Sequence, residues 1–151
     1  MRQLPERPAT HFDMQGRPDG WMDRSSHLVF MLLFGLGTPA FVITLCWALR
    51  FLPPSLLNVP KPEYWRSPEH YPEACRILLR WSVWLAVFML VLMTFINREV
   101  VAANLKSPPM LSTGGLLLLV FAFSGGVLAS IAWLVWRFSK TSGSGQDGGA
   151  R

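Results

Sequence analysis

The chain has 151 residues, of which 51% are hydrophobic and only 15% charged, and its formal net charge is +5. This composition is typical of a small membrane protein and not of a soluble domain. The basic residues stand at the ends of apolar runs rather than in a cluster, which favours anionic lipid headgroups as partners and argues against nucleic acid. Cys46 and Cys75 are predicted to be unpaired thiols.

The N-terminal segment, residues 1–27, is polar and rich in turn signals. Thr10–Asp13 alternates as a short strand does, and Gly16 and Pro18–Gly20 predict tight turns. We expect a small hairpin or hooked loop in front of the first apolar run.

The sequence predicts a specific conformation or contact for four residues of this segment. Gly20 is expected to supply a positive φ in the turn. The ring of His11 is expected to hydrogen-bond to backbone within the loop. Phe12 and Trp21 are expected to lie against the membrane surface.

Three apolar runs, at residues 28–52, 77–105 and 110–138, are each long enough to cross a membrane as a helix. The middle run contains Trp81–Asn97, which has no charged residue and is closed by an arginine on either side. Its roughly 17 residues make a helix of about 26 Å, close to the thickness of the bilayer's hydrocarbon core. We therefore predict an all-α membrane protein with three transmembrane helices, the outer two packed against the middle one.

Polar residues mark where these helices begin and end. Ser25 or Ser26 is predicted to cap the first helix. Residues 53–76 form a Pro-rich loop, in which Ser67–Glu69 predicts the cap and first turn of a helix that leads into the second run. The alternative is that Pro72 delays the start of this helix. Residues 139–151 are rich in Gly and Ser and are predicted to be a disordered tail.

Small residues predict where the helices pack closely. Gly35 and Gly37 lie beside the proline of the first run, where the helix is expected to kink. Ala122, Gly126 and Ser130 are four residues apart and form a ridge that suits close packing on a helix of this chain or of another protein. The alternative is that small residues are merely common in such helices.

Aromatic and basic residues at the ends of the runs predict the membrane interfaces. Tryptophan is enriched where acyl chains meet headgroups, and arginine reaches the headgroups along its methylene stem. The predicted anchors are Trp47, Trp81, Trp84, Trp133, Trp136, Arg50, Arg80, Arg98 and Arg137. The tryptophans among them fall on one side of the membrane, and Trp65 in the loop is placed on that side too.

The distribution of basic residues predicts the orientation. The side of residues 1–27 carries six: Arg2, Arg7, Arg17, Arg24, Arg98 and Lys106. The opposite side carries eight: Arg50, Lys61, Arg66, Arg76, Arg80, Arg137, Lys140 and Arg151. Under the positive-inside rule, this excess predicts a periplasmic N-terminus and a cytoplasmic C-terminus.

The uncharged cores of the three runs contain no His, Asp, Glu, Lys or Arg. Proton relays, ion pathways and haem ligands within membranes are usually built from such residues. His11 and Asp13 have a spacing that suits a metal, but His70 is predicted to lie across the membrane from them. We therefore predict no catalytic, cofactor-binding or metal-binding residues and no enzymatic activity.

Two stretches resemble a known family. LPERPATHFDMQGRPDGW (Leu4–Trp21) resembles the signature of a bacterial domain of unknown function, found in small membrane proteins and at the front of immunity proteins against the sporulation-delaying toxin. NVPKPEYWRSPE (Asn58–Glu69) resembles an element that follows one span later in many small members, and Ala103–Asn104 is similar to a pair found in them. The resemblance implies a bacterial inner-membrane protein of no assigned activity, tied in some relatives to toxin immunity or signalling.

The polar and aromatic residues of these motifs have two interpretations, because they either fold the loops or contact a partner. They are His11, Phe12, Gly16, Pro18, Asp19, Gly20, Trp21, Asn58, Pro60, Glu63, Tyr64 and Trp65. The abundance of Pro and Gly in both motifs favours folding.

The sequence thus predicts a non-enzymatic interaction or accessory subunit of a membrane complex in the bacterial inner membrane. Its expected partners are the lipid bilayer and either another membrane protein or a second copy of itself. The alternative is an extracytoplasmic ligand sensor or toxin-immunity factor. An enzyme or solute transporter is disfavoured, because three helices without buried polar groups enclose no pathway.

Overall fold

The structure, a computed structural model, describes residues 4–140. Within this range three helices are long and apolar enough to cross a membrane: Arg24–Phe51, Tyr71–Asn104 and Thr113–Ser139, named here the first, second and third spans. The prediction of a mainly helical, multi-pass membrane protein is confirmed. The disordered tail was predicted for residues 139–151, but Ser139 still belongs to the third span. Beyond Lys140 the predicted tail lies outside the described residues.

The first span changes helix type along its length. It consists of an α-helix (Arg24–Leu32), a π-helical turn (Leu33–Gly37), a second α-helix (Thr38–Ala48) and a 3-10 turn (Leu49–Phe51). Pro39 lies in the first turn of the second α-helix. Since proline has no N–H for the carbonyl four residues earlier, the hydrogen-bond ladder is interrupted there. The disturbance predicted at this proline takes the form of a widened turn.

The first span begins earlier than predicted. Its N-cap is Asp23, whose backbone is extended, and Arg24 is already helical. The prediction that Ser25 or Ser26 caps the helix is wrong, because both lie inside its first turn.

The second span also begins before its predicted start at residue 77. It starts at Tyr71, and Pro72 occupies the first turn, where its missing N–H has no helical partner to lose. The loop before it contains a 3-10 turn (Pro54–Leu56) and a short helix (Pro62–Trp65). Ser67 is therefore not the cap of the second span.

The second span contacts both of the others, and its contact with the first span is the more extensive. This arrangement confirms the prediction that the outer helices pack against the middle one. Gly35 is buried there, and a Cβ added to it would lie 3.9 Å from the Cβ of Met93. Gly37 is exposed, so only one of the two glycines serves this contact.

An antiparallel hairpin precedes the first span. Its strands are β1 (Ala9–Phe12) and β2 (Pro18–Trp21), and their register is irregular on both sides of His11. The turn between them closes through the N–H of Asp13, which donates to the carbonyl of Arg17 at 2.8 Å.

Among the described glycines only Gly16 has a positive φ, of 80°. The expectation that Gly20 supplies this conformation is therefore wrong. Gly20 is required for a different reason, because a Cβ there would lie 2.9 Å from the Cβ of His11 on the facing strand.

Candidate functional site

The two sequence motifs lie at opposite ends of the second span. The hairpin packs near Asn104, where that span ends, and the Pro-rich loop leads into its beginning at Tyr71. We name the first set of contacts the hairpin dock and the second the loop core. Each is built from backbone and side-chain groups that the sequence separates widely.

Asn104 is the centre of the hairpin dock. Its Oδ1 accepts a hydrogen bond from the N–H of Ala9, and its Nδ2 donates to the carbonyl of Ala9, both at 2.8 Å. The same Nδ2 lies 2.8 Å from the carbonyl of Val100, which fixes the side chain against its own helix. One amide thus satisfies both backbone groups of Ala9, a residue that is only 1% exposed.

The tip of the hairpin packs on the linker between the second and third spans. The N–H of Leu111 donates to the carbonyl of Gly16 at 2.9 Å. A Cβ on Gly16 would collide with the carbonyl oxygen of Leu111. The positive φ and the close approach together explain why this position holds glycine.

A carboxylate organises the turn itself. Asp13 Oδ1 accepts from the N–H groups of Gln15 and Arg17, at 2.9 and 2.7 Å, and its Oδ2 accepts from the Arg17 guanidinium at 2.9 Å. The hydrogen bond from the Arg17 backbone, and then the Arg17 side chain, lower the pKa of Asp13 below its usual value. The carboxylate therefore stays ionised, and keeps its hydrogen bonds in the turn, at a more acidic pH than an ordinary aspartate would.

The start of the first span is tied to the same dock. The guanidinium of Arg24 donates a hydrogen bond to the carbonyl of Leu4. The backbone N–H of Arg24 donates to the carbonyl of Glu6 at 2.9 Å. His27 is 4% exposed, and its Nε2 lies 3.3 Å from Oδ1 of Asn97 on the second span. These bonds fix residues 4–27 on the ends of two helices.

The His11 ring has a different hydrogen-bond partner from the one expected. Its Nδ1 lies 2.5 Å from Oδ1 of Asp19, and both side chains are largely exposed. The expectation of a backbone partner for this ring is wrong, because β2 places a carboxylate opposite it. Phe12 is half-buried, and Trp21 is exposed beside the first span, where the expected contact with the membrane surface stays a prediction.

Trp65 forms the loop core with Leu57, Ala74 and Phe138. It is 1% exposed, its indole N–H donates to the carbonyl of Phe138 at 2.7 Å, and the two rings pack edge to face with centroids 5.0 Å apart. The carbonyl of Phe138 is in the last turn of the third span, where no intrahelical donor follows. Trp65 therefore fastens the loop to the end of the third span and is not an interface tryptophan.

Tyr71 fastens the loop side to the first span. Its hydroxyl lies 2.6 Å from the carbonyl of Leu49 and 3.0 Å from that of Leu52. Tyr64 stacks on the His70 ring, with centroids 3.8 Å apart, and the Ser67 hydroxyl lies 2.9 Å from Nδ1 of His70. The aromatic residues of this motif thus serve the fold.

The remaining residues of the second motif are at its surface. Asn58 and Glu63 are exposed, and Pro60 is half-buried. Asn58 and Glu63 lie outside the loop core. For these two residues, folding of the loop and contact with a partner both stay open as interpretations.

The predicted interface anchors are mostly exposed, as residues facing lipid are. Arg50 lies over the Trp47 ring at 5.0 Å, and Lys140 lies over the Trp136 ring at 4.0 Å. The exposed anchors are Trp47, Trp84, Trp133, Trp136, Arg50, Arg80 and Arg98, while Trp81 and Arg137 are half-buried.

The small residues of the third span differ in how far the second span covers them. A Cβ on Gly126 would lie 2.8 Å from Cε1 of Phe88 on the second span, and Ser130 lines the same groove. Ala122 is exposed. The predicted ridge is therefore not one continuous packing surface within the chain.

The sequence did not predict the contacts of several residues in these clusters. His27, Asn97 and Phe138 were among them, as was the ion pair of Arg137 with Glu73, whose Nη2 and Oε1 are 2.8 Å apart. Asn97 and Asn104 are seven residues apart on one helix and therefore share a face. That spacing was a usable signal for a polar dock at this end of the span.

Residues 1–36 match the model of a family described as a domain of unknown function, DUF1648. The match covers the hairpin and the first part of the first span, and it names no activity. The second motif, Asn58–Glu69, lies outside it. No curated protein and no solved structure matches the chain.

Proposed function

We propose that this protein is a non-enzymatic accessory subunit of the bacterial inner membrane, which docks on another membrane protein through the third span. The observation that carries the proposal is the exposure of that span. In the part of the chain that the structure describes, none of its most apolar 18-residue stretch is buried. A span so little covered by its own chain offers a free surface to a partner.

The exposed side of the third span includes a stripe of small residues: Ala122, Gly125, Ala129 and Ala132. Their alternating spacing of three and four residues keeps them on one helix face. A Cβ on Gly125 would have open space around it among residues 4–140. Small residues let a second helix approach closely, which is how association is stabilised without a hydrophobic driving force between helices.

The two clusters at the ends of the second span support a scaffold rather than a receptor. The hydrogen bonds that Gly16, Asn104 and Trp65 form are all to other residues of this chain. A ligand sensor would be favoured by the exposed His11–Asp19 pair. Because the hairpin around that pair is tied to two spans and a linker, we favour the accessory role.

Two neighbouring glycines provide a matched test of this proposal. Gly126→Leu is expected to lower the stability of the isolated protein in detergent by about 1–3 kcal/mol, because the new side chain displaces Phe88. Gly125→Leu is expected to change that stability by less than about 0.5 kcal/mol, since its surroundings are open. It should instead reduce recovery of the partner severalfold after extraction in mild detergent.

The measurements are unfolding of the purified variants in micelles and the stoichiometry of the complex recovered from membranes. A Gly125→Leu protein that retains its partner in unchanged stoichiometry would contradict docking through this face. An equal loss of stability in both variants would show that Gly125 packs within the chain.

We further propose a periplasmic N-terminus and a cytoplasmic C-terminus, supported by the excess of basic residues on the loop side. The test is single-cysteine labelling at Ser25 and Ser142 in a background where Cys46 and Cys75 are replaced. In cells with a permeabilised outer membrane, a membrane-impermeant maleimide should label Ser25→Cys. Ser142→Cys should react only after the inner membrane is permeabilised, and the reverse pattern would overturn this orientation.

A further inference from the structure

A basic cavity of about 390 Å³ lies between the second and third spans on the side of the Pro-rich loop. It is lined by Glu73, Arg76, Ile77, Arg80, Trp133 and Arg137. Arg137 is paired with Glu73. Within residues 4–140 neither Arg76 nor Arg80 forms an ion pair, although they stand four residues apart on one helix, where like charges repel. The cavity therefore carries positive charge that lacks a counter-anion.

The depth of these arginines in the membrane indicates which anion fits. The uncharged run Trp81–Asn97 begins directly after Arg80, so Arg80 stands at the edge of the hydrocarbon core. Arg76 lies about 6 Å further out along the helix. The headgroup region on each side of the core is about 5–8 Å thick, so both guanidinium groups lie at the level of lipid phosphates.

A separate apolar groove lies nearer the middle of the membrane. It has a volume of about 250 Å³, lies between the same two spans, and is lined by Trp81, Trp84, Leu85, Phe88, Gly126, Val127 and Ser130. Its residues begin one position after Arg80 on the second span and three positions before Trp133 on the third. A basic cavity at phosphate depth with an apolar groove next to it along the same two helices matches a lipid, with a charged head and a hydrocarbon chain.

We propose that this combined site binds one anionic phospholipid of the surrounding leaflet. The phosphate lies between Arg76 and Arg80, and one acyl chain occupies the groove beside Gly126. The bound lipid fills the space that the loose contact of the second and third spans leaves open. This site is separate from the exposed stripe of the third span and does not depend on the accessory role.

Native mass spectrometry of the purified protein, with phosphatidylglycerol or phosphatidylcholine added to the detergent, tests the proposal. The protein should retain one phosphatidylglycerol in preference to phosphatidylcholine. The double variant Arg76→Gln/Arg80→Gln should bind phosphatidylglycerol about 30-fold more weakly, because each basic side chain close to an anionic headgroup strengthens binding about fivefold. Arg98→Gln, at the opposite end of the same helix, is the matched control and should bind as the unchanged protein does.

Two further measurements distinguish a lipid site from a site for a free anion. Ser130→Leu, which fills the groove but leaves the arginines, should also weaken binding of phosphatidylglycerol. Equal retention of phosphatidylcholine, or undiminished binding by the double variant, would overturn the proposal. So would complete displacement of the lipid by millimolar inorganic phosphate, since that result would assign the cavity to a free anion.

Discussion

Replacing Trp65 with alanine is expected to destabilise the protein by about 3–5 kcal/mol, as for other fully buried aromatic residues. The substitution removes the ring that packs on Phe138 and the N–H that donates to its carbonyl at 2.7 Å. It also removes the surface over which the Arg137 guanidinium lies, 5.6 Å from the ring centroid. The end of the third span then loses its hydrogen bond to the loop and the largest side chain of the loop core. Unfolding of the purified protein by SDS in mixed micelles measures the effect.

Trp136→Ala is the matched control, two residues before Phe138 on the same span. Trp136 is 52% exposed and contacts the Lys140 ammonium, so its loss should cost less than about 1 kcal/mol. If the two alanine variants unfold at the same SDS fraction, Trp65 is an interface residue and the loop core is not a stabilising unit.

Asn104→Ala is expected to release the hairpin from the second span. The substitution leaves the N–H and the carbonyl of the buried Ala9 without their partner, at about 1–3 kcal/mol for each unsatisfied group. The dock should therefore lose about 2–4 kcal/mol in total, with water relieving part of the penalty. Amide hydrogen exchange at Ala9–Phe12 should accelerate, and limited proteolysis should cut within residues 13–17.

Two other asparagine substitutions sharpen this experiment. Asn104→Asp keeps an oxygen for the N–H of Ala9 but loses the donor to its carbonyl, so it should give an intermediate rate of exchange. Asn58→Ala alters an exposed residue at the opposite end of the molecule and should leave exchange unchanged. Protection of β1 that survives Asn104→Ala would mean that strand pairing alone holds the hairpin.

The three spans were predictable because lipid imposes one simple requirement on a long segment. In hydrocarbon every backbone group must be satisfied within the helix, and the side chains must be apolar over about 20 residues. A long uncharged apolar run such as Trp81–Asn97 meets both conditions, and it can be recognised from composition along the chain. The starts of the helices were less predictable, because Arg24 and Tyr71 precede the apolar runs and hydrogen-bond to the distant carbonyls of Leu4 and Leu49.

The clusters at the ends of the second span were not predictable in detail, because their partners are far apart in the sequence. Trp65 has the same residue type as the interface anchors, and only its contact with Phe138, 73 residues later, places it in a core. Gly16 and Gly20 carry the same turn signal. Two contacts distinguish Gly16, the residue with the positive φ. Its N–H donates to the carbonyl of Asp13, and the carbonyl of Leu111 lies where a Cβ would be.

The separation of Ala9 from Asn104 by 95 residues has a consequence for biosynthesis. At about 5–20 residues per second, the ribosome completes the hairpin on the order of 5–20 s before it completes the surface that the hairpin binds. During that interval the N–H and the carbonyl of Ala9 are free to hydrogen-bond to water or to a chaperone. The hairpin docks only when the second span has entered the bilayer with Asn104 on the hairpin's side of the membrane. A chain inserted with that span inverted keeps its hairpin undocked and open to membrane proteases, so the dock distinguishes correctly inserted molecules from misinserted ones.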